Sequence, residues 1–412
     1  MYKDFFELIS VDALREKFVS FPRMGEEECS LAQARTRVLA ERLQADVDLP
    51  LQSRSCMDGF ALRAEDSFGA GEFAPAYVDI AGEVEIESPP DFDILPGQCA
   101  RIVTGGFLPD SADAVVMFEQ TKEMGGDGIE IRRAVAPGEN VMLRGEDAFR
   151  DEIVLEPGSR IGFREAGLLA AFGVDTPRVF KRPRVGIIST GNELIAVNKS
   201  PAPGLIRDVN SHSLAVLVQE CGGIASGYGI IRDDSSQLNA VVQQALLEND
   251  AVLISGGSSV GCRDMTLSVL SDLPGSRIMA HGVALSPGKP TILCECSGKA
   301  IWGLPGQVTS VQVVMLVLVQ SFLRYIGGEK ECSKSNRQVC HPAVTGRNIA
   351  SAPGREDWVR VRIVPDNDQL VAWPITGKSG LLRTMTKADA LLKIAAEREG
   401  LDKGELAWVW RL

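Results

Sequence analysis

Val185-Gly186-Ile187-Ile188-Ser189-Thr190-Gly191-Asn192-Glu193-Leu194 is the stretch that decides the fold. An apolar run passes without a break into two hydroxyls, a glycine and an acid. A strand covered by helices on both faces reads this way, because neither face needs polar residues. Downstream, Ser213 to Cys221, closed by Gly222, is predicted helical, with the glycine as its stop. Leu238, Val241, Val242, Ala245 and Leu246 recur at helical spacing, and Ala251-Val252-Leu253-Ile254 is again an apolar strand. The βαβαβ order predicts a doubly wound, mostly parallel sheet. Thr291-Ile292-Leu293 and a long helix from about Val308 to Tyr325 complete it, and Gly327-Gly328 with the polar stretch Glu329 to Arg337 ends it.

Outward from this core the texture changes. Leu31 to Gln44 holds strong helix formers with Leu31, Ala34 and Val38 on one side, which predicts a helix. From about Val78 to Ile131, the runs Val78-Asp79-Ile80, Val84-Glu85-Ile86, Ala114-Val115-Val116-Met117 and Ile129-Glu130-Ile131 predict strands of a small β-rich domain. Trp358 to Val364 and Leu406 to Trp410 predict a second, C-terminal one. There is no internal repeat.

The chain has 412 residues, too many for one module at roughly 150 per domain. Its 43 basic and 55 acidic residues give a net charge of −12, which repels nucleic acid. Met1 to Ser10 mixes charges with apolar residues, so no export signal is expected. Val308 to Ile326 is interrupted by Thr309, Ser310, Gln312, Gln320 and Arg324, so it reads as a buried helix and no membrane partner is expected. Nine scattered cysteines fit a reducing cytoplasm. Cys294 and Cys296 alternate as one face of a strand does, which favours packing over metal binding.

Ligands of open parallel sheets bind beyond the carboxyl ends of the strands. The loops expected there are Ser189 to Leu194, Ser255-Gly256-Gly257-Ser258-Ser259-Val260-Gly261, Pro287-Gly288-Lys289-Pro290 and Gly303-Leu304-Pro305-Gly306. Glycines admit a ligand to the backbone, hydroxyls donate to anionic oxygens, and Lys289 adds a point charge. Together they predict a pocket for phosphate or another oxyanion. Glu193, Asp233, Asp234 and Asp264 stand in the same loops, where like charge is unwelcome unless a divalent cation bridges it, so Mg²⁺ with a phosphorylated ligand is expected. Neither a P-loop nor a dinucleotide fingerprint occurs at a strand end. Ser55 to Phe60, Arg101 to Gly106 and Arg144-Gly145-Glu146-Asp147 read, taken singly, as turns or a charged hinge.

In order along the chain, Met57-Asp58-Gly59, Thr104-Gly105, Arg144 to Asp147, Ser189 to Leu194, Arg207-Asp208-Val209-Asn210, Ser255-Gly256-Gly257, Ser259-Val260-Gly261 with Asp264, Pro287 to Pro290 and Gly303 to Gly306 resemble the MoeA family of molybdopterin molybdenumtransferases. The tail around Gly377-Lys378-Ser379-Gly380 to Gly404-Glu405 is similar more loosely. The resemblance implies a MogA-like α/β domain at 181–328, an inserted β-rich domain at 50–143, a C-terminal β domain at 329–412, and an elongated dimerisation domain built from 1–49 and 144–180. It implies a cytoplasmic homodimer that takes adenylylated molybdopterin and molybdate, releases AMP and ligates molybdenum to the dithiolene with Mg²⁺, with an adenylyltransferase, fused or separate, as a partner. Carried over, Asp58, Thr104, Asp147, Glu193 and Asp264 would act in catalysis, with Glu193, Asp233 and Asp264 at the metal. Ser189, Thr190, Gly191, Ser255, Gly256 and Gly257 would bind the cofactor, while Lys289, Ser310, Arg355 and Ser379 would line the molybdate side. Family active sites lie between subunits, so the β domain or tail of one chain would face the sheet of the other.

Two departures stand out. Ser286 replaces a basic residue three positions before the lysine, and Gln307-Val308 replaces Asn-Pro. Losing a charge-assisted contact costs about 1.5–3 kcal/mol, so tungstate insertion and a non-catalytic molybdopterin carrier are the alternatives.

Overall fold

A computed structural model describes residues 8–256, 260–330, 340–367 and 369–412. They fall into two compact units: Met1–Glu41, Pro157–Ala166 and Thr176–Leu412 in one, Arg42–Glu156 and Gly167–Asp175 in the other.

The first unit is built on the predicted α/β sheet. Its elements are β1 (Arg184–Thr190), α1 (Asn210–Glu220), β2 (Ile224–Ile231), α2 (Ser235–Glu248), β3 (Ala251–Gly256), α3 (Val260–Asp272), β4 (Ser276–His281), β5 (Ile292–Cys296) and β6 (Lys299–Leu304), followed by the helix α4 (Val308–Ile326). The strand order is β2-β1-β3-β6-β5-β4. The pairings β2–β1, β1–β3 and β3–β6 are parallel, whereas β5 and β4 join antiparallel. Alternation within the strands divides the core. Val185, Ile187, Ala251 and Leu253 pack with Leu214 and Val218 of α1 and with α4. Ile188, Val252 and Ile254 face the other way, onto Leu238 and Val242 of α2 and Leu270 of α3.

Val308–Ile326 is long and apolar enough to cross a membrane, but most of it is buried inside the fold. Phe322 meets Trp302, Phe18 and Phe21 edge to face, with centroids 5.1–5.7 Å apart. Such pairs are worth about 0.5–1.5 kcal/mol each beyond the area they bury. Cys294 and Cys296 are buried in β5, and burial pushes the Cys294 thiol up to about 11. Among the described residues no cluster of three or more His, Cys, Asp or Glu is placed to hold a metal.

Leu31 to Gln44 is not the predicted helix. Leu31–Gln33 makes a single 3-10 turn, Thr36 has φ 65°, and Val38 and Leu39 pair with Arg160 and Val179 as extended chain. Leu39 donates its amide to Ser159 at 2.8 Å, and the buried Arg37 donates to the Phe180 carbonyl at 2.9 Å. These distant partners take the backbone groups that a helix would have used, overriding local propensity. Farther on, Cys340–Thr345, Glu356–Asp366, Gln369–Pro374, Ala390–Ile394 and Leu406–Arg411 form the C-terminal sheet together with Leu285–Ser286.

The second unit holds a six-stranded sheet ordered Ala114–Met117, Gly59–Leu62, Gln98–Ile102, Ala76–Glu83, Gly128–Ile131, Thr121–Glu123. Phe60, Leu62, Val78, Val116 and Ile129 fill one face. Val84-Glu85-Ile86 is not a strand of its own: the strand before it ends at Glu83, and the Val84 amide closes that pairing by donating to the Arg101 carbonyl at 2.8 Å.

Candidate functional site

The chain passes from β1 to β2 on one side and then to β3 on the other, so the carboxyl ends of β1 and β3 flank the point where strand order reverses. A cavity of about 190 Å³ opens there, lined by Thr190, Glu193, Asp208, Asn210, Ser255, Gly256, Gly306, Gln307 and Gly380, among others. Asn210, the first residue of α1, donates to Ser255 Oγ at 2.8 Å and to the Gly306 carbonyl at 3.0 Å. One amide thereby ties the ends of β3 and β6 to α1. Its Oδ1, together with Ser189 Oγ and Thr190 Oγ1, is buried without a hydrogen-bond partner. Buried polar atoms are nearly always paired, since leaving one unmade costs about 1–3 kcal/mol. A ligand that hydrogen-bonds at this edge would satisfy them.

Gly256 has a packing reason to be glycine. It stands opposite Thr190 in the β1–β3 ladder, and a Cβ there would overlap both the Thr190 hydroxyl and its carbonyl.

The loop after β1 carries Glu193, half-buried on the cavity wall, whose carbonyl accepts from the Ile206 amide at 2.8 Å. Asp233 is exposed in the neighbouring loop and bonded to the Asn192 carboxamide at 3.0 Å. Asp234 is instead the N-cap of α2, accepting from the Ser236 and Gln237 amides, which with the Ser236 hydroxyl hold its carboxyl below the usual range. Gly257 and the Asp264 side chain lie outside the described residues. The donors here are all oxygens, which suits hard Mg²⁺, an ion that commonly takes only one or two carboxylates beside substrate phosphate and water.

Pro287 to Pro290 does not follow a strand of the α/β sheet as expected; it follows Leu285–Ser286, which pairs with Glu356–Asp357 of the C-terminal sheet. It leads into β5, whose first residue, Ile292, pairs antiparallel with Gly303 near the end of β6, so the loop still reaches the same sheet edge. Lys289 is exposed in it. Ser286 pairs in register with Asp357, and the Asp357 carboxylate lies 3.5 Å from Arg355 Nε. Ser310 is buried in the first turns of α4. Ser379 donates its hydroxyl to the Gln307 carboxamide of its own chain, so the tail reaches its own sheet.

The second unit brings together another predicted pair. Asp58 immediately precedes its strand and Thr104 follows the antiparallel neighbour, with Gly59 opposite Ile102. Asp58 Oδ1 accepts from the Thr104 amide at 2.7 Å and from its hydroxyl at 2.8 Å. Those two donors hold the exposed carboxyl below its usual range. Asp147 is exposed, its amide donating to the Leu49 carbonyl, and Arg144 is bound to Asp48 at 2.6 Å.

Asp208, Asn210 and Gln307 line the cavity, although sequence reasoning gave the first two no role and treated the third only as a departure. Arg207-Asp208-Val209-Asn210 was the available signal.

The sequence matches the family descriptions "MoeA N-terminal region (domain I and II)" over residues 9–173, "Probable molybdopterin binding domain" over 186–325 and "MoeA C-terminal region (domain IV)" over 342–412. It is similar to molybdopterin molybdenumtransferases of a Nostoc species, at 33% identity over 72% of this chain and 68% of the relative, and of Bacillus subtilis, at 29% over 97% and 93%. The crystal structure of the molybdopterin biosynthesis MoeA protein from Pyrococcus horikoshii is similar at a TM-score of 0.79 and 28% identity, covering 98% of this chain and all of that one. This chain belongs to the MoeA family of molybdopterin molybdenumtransferases.

Proposed function

We propose that this protein takes adenylylated molybdopterin and molybdate, releases AMP and joins molybdenum to the dithiolene, with Mg²⁺ required. The observation that carries the reading is that two residues lining the cavity, Thr190 and Asn210, each bury a side-chain oxygen, Oγ1 and Oδ1, that has no hydrogen-bond partner. One is a hydroxyl and the other an acceptor, a set suited to the mixed donors and acceptors of a pterin edge. Ser189, Gly191, Ser255 and Gly256 complete that side.

Molybdate, a tetrahedral dianion, wants positive charge and donors. Lys289, Arg355 and Ser310 are assigned to it, with Arg355 sharing its charge with Asp357. Glu193 and Asp233, with Asp264, would hold Mg²⁺, which when bound neutralises phosphate charge. Asp58, kept ionised by Thr104, and Asp147 are the catalytic groups of the second unit.

In this reading residues 1–49 and 144–180 serve dimerisation. The chain works as a cytoplasmic homodimer, in keeping with free thiols at Cys29, Cys56 and Cys99, and an adenylyltransferase supplies its substrate. Incubation with adenylylated molybdopterin, Mg²⁺ and molybdate should release AMP. Release with tungstate alone would make it a tungsten enzyme, and pterin binding without AMP release under either oxyanion would leave a carrier.

A further inference from the structure

The loop after β1 does more than carry Glu193 to the cavity wall. Its Gly191 amide donates to the Ile231 carbonyl at the end of β2, at 3.1 Å. The next residue, Asn192, meets Asp233 twice: its Nδ2 donates to Asp233 Oδ2 at 3.0 Å, and its Oδ1 accepts from the Asp233 amide at 3.3 Å. Only one orientation of the carboxamide serves both bonds. Turned over, it would set its oxygen against a carboxylate and its NH2 against an N–H. Asn192 is exposed and does not line the cavity, so contact with a ligand there does not account for it. Gly191 serves the other acid. A Cβ on it would stand 2.6 Å from Glu193 Oε2 and 3.0 Å from Oε1, so the bare Cα leaves the space in which that carboxylate lies.

We propose that Gly191 and Asn192 are positioning residues that set the acids of two neighbouring loops, Glu193 and Asp233, for one divalent cation. Unbridged carboxylates repel each other. A neutral carboxamide bound to one of them fixes its place without cancelling the charge that a cation needs, as the outer partners of metal ligands do. An arginine there would hold Asp233 as firmly and neutralise it. The carboxamide engages Oδ2 and leaves Oδ1 to the metal. The inference rests on the reading of Glu193 and Asp233 as Mg²⁺ ligands.

The test uses the full-length protein and Mn²⁺ alone as the probe, its binding followed by the EPR signal of the free ion. Asp233→Ala and Glu193→Gln should each weaken Mn²⁺ binding, and Asn192→Ala should weaken it about tenfold, the low end for losing a partner that orients a metal ligand. In an Asp233→Ala background Asn192→Ala should cost nothing more, because it acts only through that carboxylate. AMP release should follow: Asn192→Ala should raise the Mg²⁺ concentration for half-maximal rate about tenfold, with the wild-type rate recovered at saturating Mg²⁺ and the pterin KM unchanged. A collapsed loop would not allow that rescue. Gly191→Ala should weaken Mn²⁺ binding as well, with no further loss in a Glu193→Gln background. Should an alanine at φ 149° keep the protein from folding, the Asn192 series decides alone. Unchanged Mn²⁺ affinity in Asn192→Ala or in folded Gly191→Ala would overturn the inference, as would losses that add to those of the acids, or a defect that saturating Mg²⁺ does not repair. If the wild-type protein shows no Mn²⁺ binding that depends on Glu193 and Asp233, the metal reading fails and the inference falls with it. Binding that depends on both acids and ignores Asn192 removes only the positioning claim.

Discussion

The two units present their polar groups under opposite conditions. At the carboxyl edge of the α/β sheet, Thr190 and Asn210 bury atoms that bond to nothing; at the edge of the second unit's sheet, Asp58 and Thr104 stand in water and satisfy each other. The first arrangement costs stability until a ligand arrives and is ready for it. The second costs little and keeps a carboxylate charged in the open. The difference separates a site built to enclose a molecule from one built to present a charge.

Glycine substitution offers the harshest way to break the contrast, because both edges rely on a bare Cα against a neighbouring carbonyl. A Cβ at Gly256 would overlap Thr190, and one at Gly59 would overlap the Val116 carbonyl. Gly256→Ala and Gly59→Ala should each lower stability by about 1–3 kcal/mol or more, as overpacking does, read from the urea midpoint. Only Gly256→Ala should abolish molybdopterin binding in the fraction still folded. Binding that survives in Gly256→Ala would remove the cavity from the argument.

Thr190→Val is gentler and should act with opposite sign on stability and function. Valine keeps the shape and discards a buried hydroxyl that has no partner, so the free protein should gain about 1 kcal/mol. Pterin affinity should fall about tenfold, because the ligand loses its donor. A destabilised Thr190→Val protein would mean that the hydroxyl has a partner after all.

How far the sequence could be read depended on where each group's partners lie. The run Val185 to Ile188 is apolar on both faces by itself, so β1 and the loop after it could be placed from a dozen residues. Leu31 to Gln44 could not, since Arg160, Ser159 and Val179 decide its conformation from far along the chain. The same holds within the site. Gly256 and Thr190 follow from strand ends, but Asn210 joins two strand ends by a side chain whose reach no local pattern records, and the Gln307–Ser379 contact links residues that look unrelated in sequence. Asp234 stands among the acids of these loops without a metal role assigned to it, because an N-cap and a metal ligand occupy the same kind of loop, and its Ser236 and Gln237 bonds identify it as the N-cap.

The smallest expected effect tests the other side of the contrast. Asp58→Ala should abolish AMP release while moving the urea midpoint only slightly downward, because the exposed side chain gives up no more than its two bonds to Thr104. Its titration gives the finer reading. The Thr104 amide, and then its hydroxyl, lower the Asp58 value from 3.8, and the slight burial opposes them. Since the folded value lies below the unfolded one, the linked stabilisation is fully present above pH about 4 and is lost as pH falls through the folded value. Carboxyl NMR should therefore find Asp58 titrating below 3.8 in the wild-type protein and moving part of the way back in Thr104→Val, which keeps the amide and loses the hydroxyl. Titration at or above 3.8 in the wild-type protein would show that the pair is not formed. The second unit would then have no group held in its charged form, and the contrast with the buried edge of the α/β sheet would rest on exposure alone.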